Sequence, residues 1–130
     1  DPSRVHFTGT LPYSQFIPLL QLSACHVYLT YPFVMSWSLL EAMACGCAVV
    51  GSNTAPVREV IRHGSNGLLV DFFSPADLAS AVAELLRDRE RAEAFGVEAR
   101  RTVVRSYDRD VCVQRQLALM DLVASGSINA

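Results

Sequence analysis

Short apolar runs alternate with longer amphipathic stretches along this chain. We predict strands at residues 5–8, 26–31, 47–51 and 67–70, because each is a short segment rich in apolar or β-branched residues and bounded by turn residues. The runs "AVV" and "LLV" in the last two segments contain no alternating polar positions, which is typical of strands covered on both faces. The pattern predicts a parallel sheet of about four strands with helical crossovers.

The intervals between these runs show helical periodicity and helix boundary residues. Gly46 is a typical residue after a helix end, and Ser74 and Asp108 are typical N-caps. Pro18 falls inside the first predicted helix and is expected to kink or shorten it. The predicted helices are, in chain order, 12–23, 38–45, 56–63, 74–88, 89–105 and 109–124.

The predicted fold class is α/β, with a truncated Rossmann-like sheet and helices on both faces. Four strands are fewer than the five or six of a complete doubly wound domain, and the sequence does not begin with methionine. We therefore expect residues 1–130 to form one partial domain that belongs to a longer protein. The tail at 124–130, rich in small and polar residues, is expected to fray.

Composition and charge exclude several functions. The chain is 51% hydrophobic and 18% charged, so it can bury a core, and its formal net charge of -2 does not favour a nucleic-acid partner. All 11 basic residues are arginine, which excludes a phosphate-binding loop that depends on lysine. No apolar run approaches the roughly 20 residues that span a bilayer. We expect a cytoplasmic protein without a transmembrane segment, and peripheral association with a membrane stays open.

The cysteines and histidines do not predict a metal site. We interpret the four cysteines as buried free thiols in a reducing cytosol, because their sequence contexts are apolar. They are Cys25, Cys45, Cys47 and Cys112. The spacing of Cys45 and Cys47 is not that of a zinc knuckle, and the histidines are isolated from one another.

Candidate chemistry lies where the second predicted strand leads into a helix. Ligands of open parallel sheets bind at the carboxyl ends of the strands, and the helix that opens near Ser36 would present its N–H groups and positive dipole end there. Glu41 in this helix has two interpretations. Its carboxylate could accept hydrogen bonds from a ribose diol, or "SLLE" could be a capping box in which Ser38 and Glu41 satisfy each other's backbone amides.

Three segments extend this interpretation by resemblance: "LLEAMACGCAVVGSN", "VREVIRHGSNGLLV" and "SPADLASAVAELLRD". Over about residues 4–123 the chain resembles the C-terminal donor-binding domain of family 4 (group 1) glycosyltransferases of the GT-B fold. Their usual pattern is close to E-G-F-G-x-x-x-x-E-A-M-A-x-G-x-P-V-V, followed by P-E-V-I and G-x-x-G-x-L-V. The resemblance implies a retaining hexosyltransferase with a nucleotide diphosphate sugar as donor and no metal or other cofactor.

The resemblance also assigns expected roles to individual residues. It implies that Glu41 grips the ribose of the donor and that Leu40 lies close to the nucleotide. The other implied donor-binding residues are Gly9 near the base and Ser36, Trp37 and Ser38 near the sugar and phosphates.

The chain departs from the family pattern at the first glutamate. Phe33 stands eight residues before Glu41, where the family has a carboxylate that meets the transferred sugar. No catalytic residue is assigned, and the chain alone is expected to be inactive without the acceptor domain of the full-length protein. The alternative is a non-catalytic Rossmann-like module that binds a nucleotide or a protein, and an open sheet edge leaves a homodimer open.

Overall fold

The computed structural model describes residues 1–31 and 34–126, within which it has three parallel strands and six α-helices. The predicted alternation of strands and helices is confirmed. In chain order, the elements are a 3₁₀ turn Pro2–Arg4, α1 Tyr13–Leu22, β1 His26–Tyr28, α2 Trp37–Ala44, β2 Val49–Ser52, α3 Ala55–Arg58, β3 Leu68–Val70, α4 Pro75–Arg87, α5 Arg89–Tyr107 and α6 Arg109–Ala124.

The sheet has the order β1-β2-β3, with β2 in the centre. His26 is opposite Val49 in the first pair, and Val50 is opposite Leu68 in the second. All four residues of β2 are buried, as the continuous apolar run "AVV" predicts for a strand with both faces covered. The predicted α/β class with a parallel sheet is therefore confirmed, with one strand fewer than expected.

The strand predicted at 5–8 is wrong. This segment is irregular and exposed, with Phe7 at 96% exposure, and it pairs with none of the three described strands. Its apolar residues satisfy the local pattern of a strand, but a strand also needs a hydrogen-bonded neighbour.

The strand predicted at 26–31 ends at Tyr28, because the backbone of Thr30 is hydrogen-bonded to a side chain and not to a neighbouring strand. The Ser52 hydroxyl accepts from the Thr30 N–H at 3.0 Å and donates to the Thr30 C=O at 2.9 Å.

Two apolar cores cover the two faces of the sheet, because successive strand residues point to opposite sides. Val49 faces a core with α2, α3 and the second half of α5. Val50 faces a core with α4 and the first half of α5. Residues with at most 1% exposure in these cores are Leu39, Ala42, Met43, Val49, Val50, Val57, Ile61, Leu85 and Ala99.

Most predicted helix boundaries are confirmed. Ser74 accepts a hydrogen bond from the Asp77 N–H at 3.2 Å, and Asp108 accepts one from the Asp110 N–H at 2.9 Å. Gly46 follows the end of α2 with φ of 76°, the left-handed conformation that favours glycine there. The helix predicted to reach 63 instead ends at Arg58. After one further turn, in which the Ile61 N–H donates to the Val57 C=O at 2.8 Å, the Asn66 side chain accepts from the Arg62 N–H and donates to the Val60 C=O.

The thiols are free, as predicted, but they are not uniformly buried. Cys47 is buried and Cys25 and Cys45 are half-buried, whereas Cys112 is exposed. Cys112 lies on α6, which packs along α5 and buries none of its own residues. The expectation of a buried Cys112 is therefore wrong, since the packing of α6 along α5 buries none of the residues of α6.

Alkylation is expected to separate these thiols. Burial, with smaller contributions from Cys25 and Cys45, raises the pKa of Cys47 to about 11. Because the thiolate is the nucleophile, iodoacetamide at about pH 8 should modify Cys112 rapidly and leave Cys47 unmodified in the native protein. Peptide mapping by mass spectrometry measures both sites, and denatured protein is the control in which the two should react alike. Rapid native modification of Cys47 would contradict the buried environment.

Candidate functional site

The carboxyl end of β1 and the start of α2 are joined by a hydrogen bond between the two elements. The Tyr28 hydroxyl, at the end of β1, accepts from the Ser36 N–H at 2.7 Å. Ser36 is the N-cap of α2, and its hydroxyl accepts from the Ser38 N–H at 3.3 Å and from the Ser38 hydroxyl at 3.1 Å. The helix therefore begins at Trp37 and directs its positive end toward the carboxyl edge of the sheet.

This start excludes the capping-box interpretation of Glu41. Because Ser36 and not Ser38 is the N-cap, Glu41 is the fifth residue of α2, beyond the first turn. A capping box requires the acidic residue at the third helical position. The Glu41 carboxylate is therefore available for another role.

Glu41 is half-buried beside the first residue of α1, Tyr13. Desolvation raises the pKa of the Tyr13 hydroxyl, and the charge of Glu41 and a side-chain hydrogen bond to it raise it further. No ion pair within residues 1–31 and 34–126 involves Glu41. The Glu41 carboxylate thus lies near a phenol and forms no ion pair with a described basic side chain.

The predicted binding residues of α2 share this corner of the sheet. Ser36 and Trp37 are exposed, with Trp37 at 81%, so both are accessible to a ligand. Leu40 packs against the core on the α2 face, which also gives it a structural role. These contacts do not test the binding roles, which stay predictions.

The remaining two predicted residues are less closely tied to α2. Gly9 lies on the exposed segment before α1, with φ of 63° and open space around its α-carbon. Gly9 lies four residues before Tyr13, the residue of α1 beside Glu41, and its predicted role near the base stays a prediction. Phe33 lies outside the described residues, and its predicted position in the site is untested.

Two features of this edge were missed by the sequence analysis. Tyr13 was not singled out, although an aromatic residue with a hydroxyl directly after Pro12 at a helix start was a visible signal. The other is a cluster of three aromatic rings, Tyr31, Phe72 and Phe73, which joins two loops that are distant in sequence. The adjacent residues Phe72 and Phe73 were the only sign of this cluster in the sequence.

Among the residues that the structure describes, no group of three His, Cys, Asp or Glu side chains could hold a metal ion. None of the described helices is long and apolar enough to cross a membrane.

Comparison with known families identifies the chain. Residues 2–102 match the family model of glycosyl transferases group 1. The chain belongs to this family. The phosphatidyl-myo-inositol mannosyltransferase of Mycobacterium leprae is 43% identical over an alignment of 93 positions that covers 68% of this chain. The chain spans only 24% of that relative's length.

Solved structures confirm the fold of this group 1 glycosyltransferase chain. Sucrose-phosphate synthase from Thermosynechococcus elongatus superimposes with a TM-score of 0.83 at 24% identity, covering 95% of this chain and 31% of the other. Anabaena Alr3699/HepE in complex with UDP and glucose gives a TM-score of 0.75 at 25% identity, covering 93% and 32%. The three-stranded sheet and its helices are thus part of a GT-B glycosyltransferase fold.

Proposed function

We propose that this chain supplies part of the donor site of a glycosyltransferase that moves a hexose from a nucleotide diphosphate sugar to an acceptor hydroxyl. The observation that carries the proposal is the Glu41 carboxylate. It is half-buried, it takes no part in capping α2, and no described ion pair involves it. Two adjacent ribose hydroxyls can each donate to one oxygen of such a carboxylate.

The start of α2 offers a complementary site for the donor's phosphates. The helix dipole places partial positive charge at Trp37 and Ser38, and the Ser36 and Ser38 hydroxyls lie at the same end. This field would stabilise the negative charge that develops on the leaving diphosphate, without a metal ion. The UDP and glucose held by the Anabaena structure support a nucleotide-sugar donor.

We assign acceptor binding and sugar transfer to the full-length protein. The chain spans about a quarter of the length of the relative from Mycobacterium leprae, so we place the acceptor domain in the full-length chain. The 130-residue chain alone is then inactive in transfer. Retention of the anomeric configuration by the intact enzyme is part of the proposal and rests on the resemblance to the family. Four free thiols favour a reducing compartment, which supports a cytoplasmic location with or without attachment to a membrane.

The homodimer predicted from the open sheet edge stays a prediction. Val27 and Leu29, on and after β1, are 41% and 39% exposed, and β1 pairs with one described strand only. This edge can therefore accept another strand from the full-length protein or from a second copy.

Nucleotide titration tests the donor site. We expect isothermal calorimetry with UDP, GDP and ADP to show binding of one of them, and the matching 2′,3′-dideoxy nucleotide to bind much more weakly. Glu41→Gln should cost about 1.5 to 3 kcal/mol, or roughly 10- to 150-fold in affinity, because a charged hydrogen bond is lost. In that variant the diol and dideoxy forms should differ little.

Glu93→Gln is the matched control for charge. Glu93 is exposed on α5 and lines a cavity of about 520 Å³ at the amino end of the strands, away from α2's first turn. Its substitution should leave nucleotide affinity unchanged. Binding that is indifferent to both the diol and Glu41 would refute the proposed role of this carboxylate.

A further inference from the structure

Three aromatic rings form a cluster at the carboxyl edge of the sheet. Tyr31 and Phe72 lie with ring centroids 5.5 Å apart and planes 28° from parallel. Phe73 packs edge-on against both, at 5.1 Å and 71° from Tyr31 and at 5.0 Å and 84° from Phe72. These spacings are those of favourable aromatic pairs, so the cluster has a defined shape.

The cluster crosses the end of the central strand. Tyr31 follows β1 and Phe72 follows β3, and these strands lie on opposite sides of β2, about 10 Å apart at the usual strand spacing. The Thr30 backbone is bound to the Ser52 hydroxyl, and the Asn53 N–H donates to the Val70 C=O at 2.7 Å. Both loops that carry the rings are thus tied to β2, at the edge where parallel sheets bind their ligands.

The rings are exposed although the chain has apolar cores on both faces of the sheet. Tyr31 is 55% and Phe73 is 68% exposed, so packing between the loops leaves large aromatic surfaces in contact with water. A ligand that covers exposed aromatic surface removes it from water, which lowers the free energy of the system. Asn53 and Asp71 are also exposed and directly follow β2 and β3 at this edge, so an amide and a carboxylate belong to the same edge as the rings. Asp71 Oδ1 accepts from the Phe73 N–H at 2.9 Å, and Asn53 Oδ1 accepts from the Arg58 guanidinium at 3.0 Å.

We propose that Tyr31, Phe72 and Phe73 form a platform that stacks on the apolar C–H face of a pyranose ring. A pyranose has one face of C–H groups and a rim of hydroxyls, which matches an aromatic surface accompanied by amide and carboxylate groups. The proposal rests on the proposed function and specifies its sugar site. The ring belongs either to the acceptor or to the hexose of the donor, and the experiment separates these sources.

The geometry leaves no room for a nucleobase sandwiched between the rings. A base sandwiched between two aromatic faces needs roughly 7 Å, twice the contact distance of carbon atoms. The near-parallel rings of Tyr31 and Phe72 are only 5.5 Å apart, and Phe73 is nearly perpendicular to Phe72. The cluster therefore offers an outer surface and not a slot.

Saturation-transfer NMR on the 130-residue protein tests the platform. The probes are methyl α-D-glucopyranoside, methyl α-D-mannopyranoside, UDP and UDP-glucose. We expect saturation of ring protons on one face of a pyranose, and a loss of about fivefold or more in its affinity in Phe73→Leu, which keeps apolar volume without a flat ring. Phe73→Tyr keeps the ring and should bind as the unaltered protein does.

The arms of the experiment identify the source of the sugar. Glycoside binding that persists in saturating UDP and falls in Phe73→Leu assigns the platform to the acceptor. If only UDP-glucose shows saturated hexose protons, and Phe73→Leu removes them without changing UDP affinity, the platform holds the donor's hexose. Circular dichroism confirms that the variants fold.

The platform is overturned if no pyranose is saturated, or if Phe73→Leu and Phe73→Tyr bind sugars equally. UDP binding that persists in that case leaves the donor site at Glu41 intact. Absence of binding by all of UDP, GDP and ADP to the unaltered protein would instead refute the donor site, so the two proposals fail independently.

Discussion

Gly96→Ala is expected to lower the free energy of unfolding by about 3 kcal/mol. Gly96 is buried in the middle of α5, where a β-carbon would lie 2.1 Å from the Gly46 carbonyl oxygen and 3.0 Å from its carbonyl carbon. The obstructing atoms belong to the backbone, which cannot rotate away as a side chain can. The added methyl group would therefore push α5 away from the end of α2.

The close approach at Gly96 connects several parts of the fold. Gly46 occupies the turn between α2 and β2, and the Arg100 guanidinium, one turn after Gly96, donates to the Ala44 carbonyl at the end of α2. Ala99 is fully buried in the same contact region. Separation of α5 from this turn would disturb both the core and the helix that carries Glu41.

Urea unfolding followed by circular dichroism measures this effect. Ala94→Gly is the matched control, because Ala94 is exposed on the same helix and its replacement should cost only the helix propensity difference of about 1 kcal/mol. At Gly96 the order is expected to reverse, with glycine more stable than alanine. A Gly96→Ala protein as stable as the unaltered one would show that α5 and the Gly46 turn are not in close contact.

Asn66→Ala is the second large effect, also expected to cost about 3 kcal/mol. Asn66 is 1% exposed, and its side chain accepts from the Arg62 N–H at 2.7 Å. The same side chain donates to the Val60 C=O at 3.0 Å and to the Thr102 hydroxyl at 3.2 Å. Truncation leaves the buried Val60 C=O and the part-buried Arg62 N–H without this partner, and it removes the hydrogen bond that joins this segment to α5.

Two variants make the Asn66 result interpretable. Ser65→Ala changes the exposed neighbour in the same turn and should alter the stability by less than about 0.5 kcal/mol. Thr102→Val removes a single partner of Asn66 and should cost about 1 kcal/mol. If thermal and urea unfolding show Asn66→Ala to be no worse than Thr102→Val, the backbone bonds of Asn66 do not contribute as argued.

Local signals predicted the fold well where they act within a few residues. Gly46 ended α2, and Ser74 and Asp108 began their helices, because capping depends on backbone groups close in sequence. The apolar run of β2 predicted a strand with both faces covered, and all four of its residues are buried. The family pattern likewise depends on order and spacing along the chain, which is why the resemblance to group 1 glycosyltransferases could be seen and was confirmed.

The sequence by itself thus determined the alternation of strands and helices, the family, and Glu41 as a candidate ligand-binding residue. The tertiary structure decided the rest, since it depends on groups that are distant along the chain. The apolar segment at 5–8 is no strand because it has no paired neighbour. The Ser36 N–H donates to the Tyr28 hydroxyl, and Ser36 is the N-cap of α2, so Glu41 lies beyond the first turn of the helix. The aromatic cluster exists because β1 and β3 end at the same edge of the sheet.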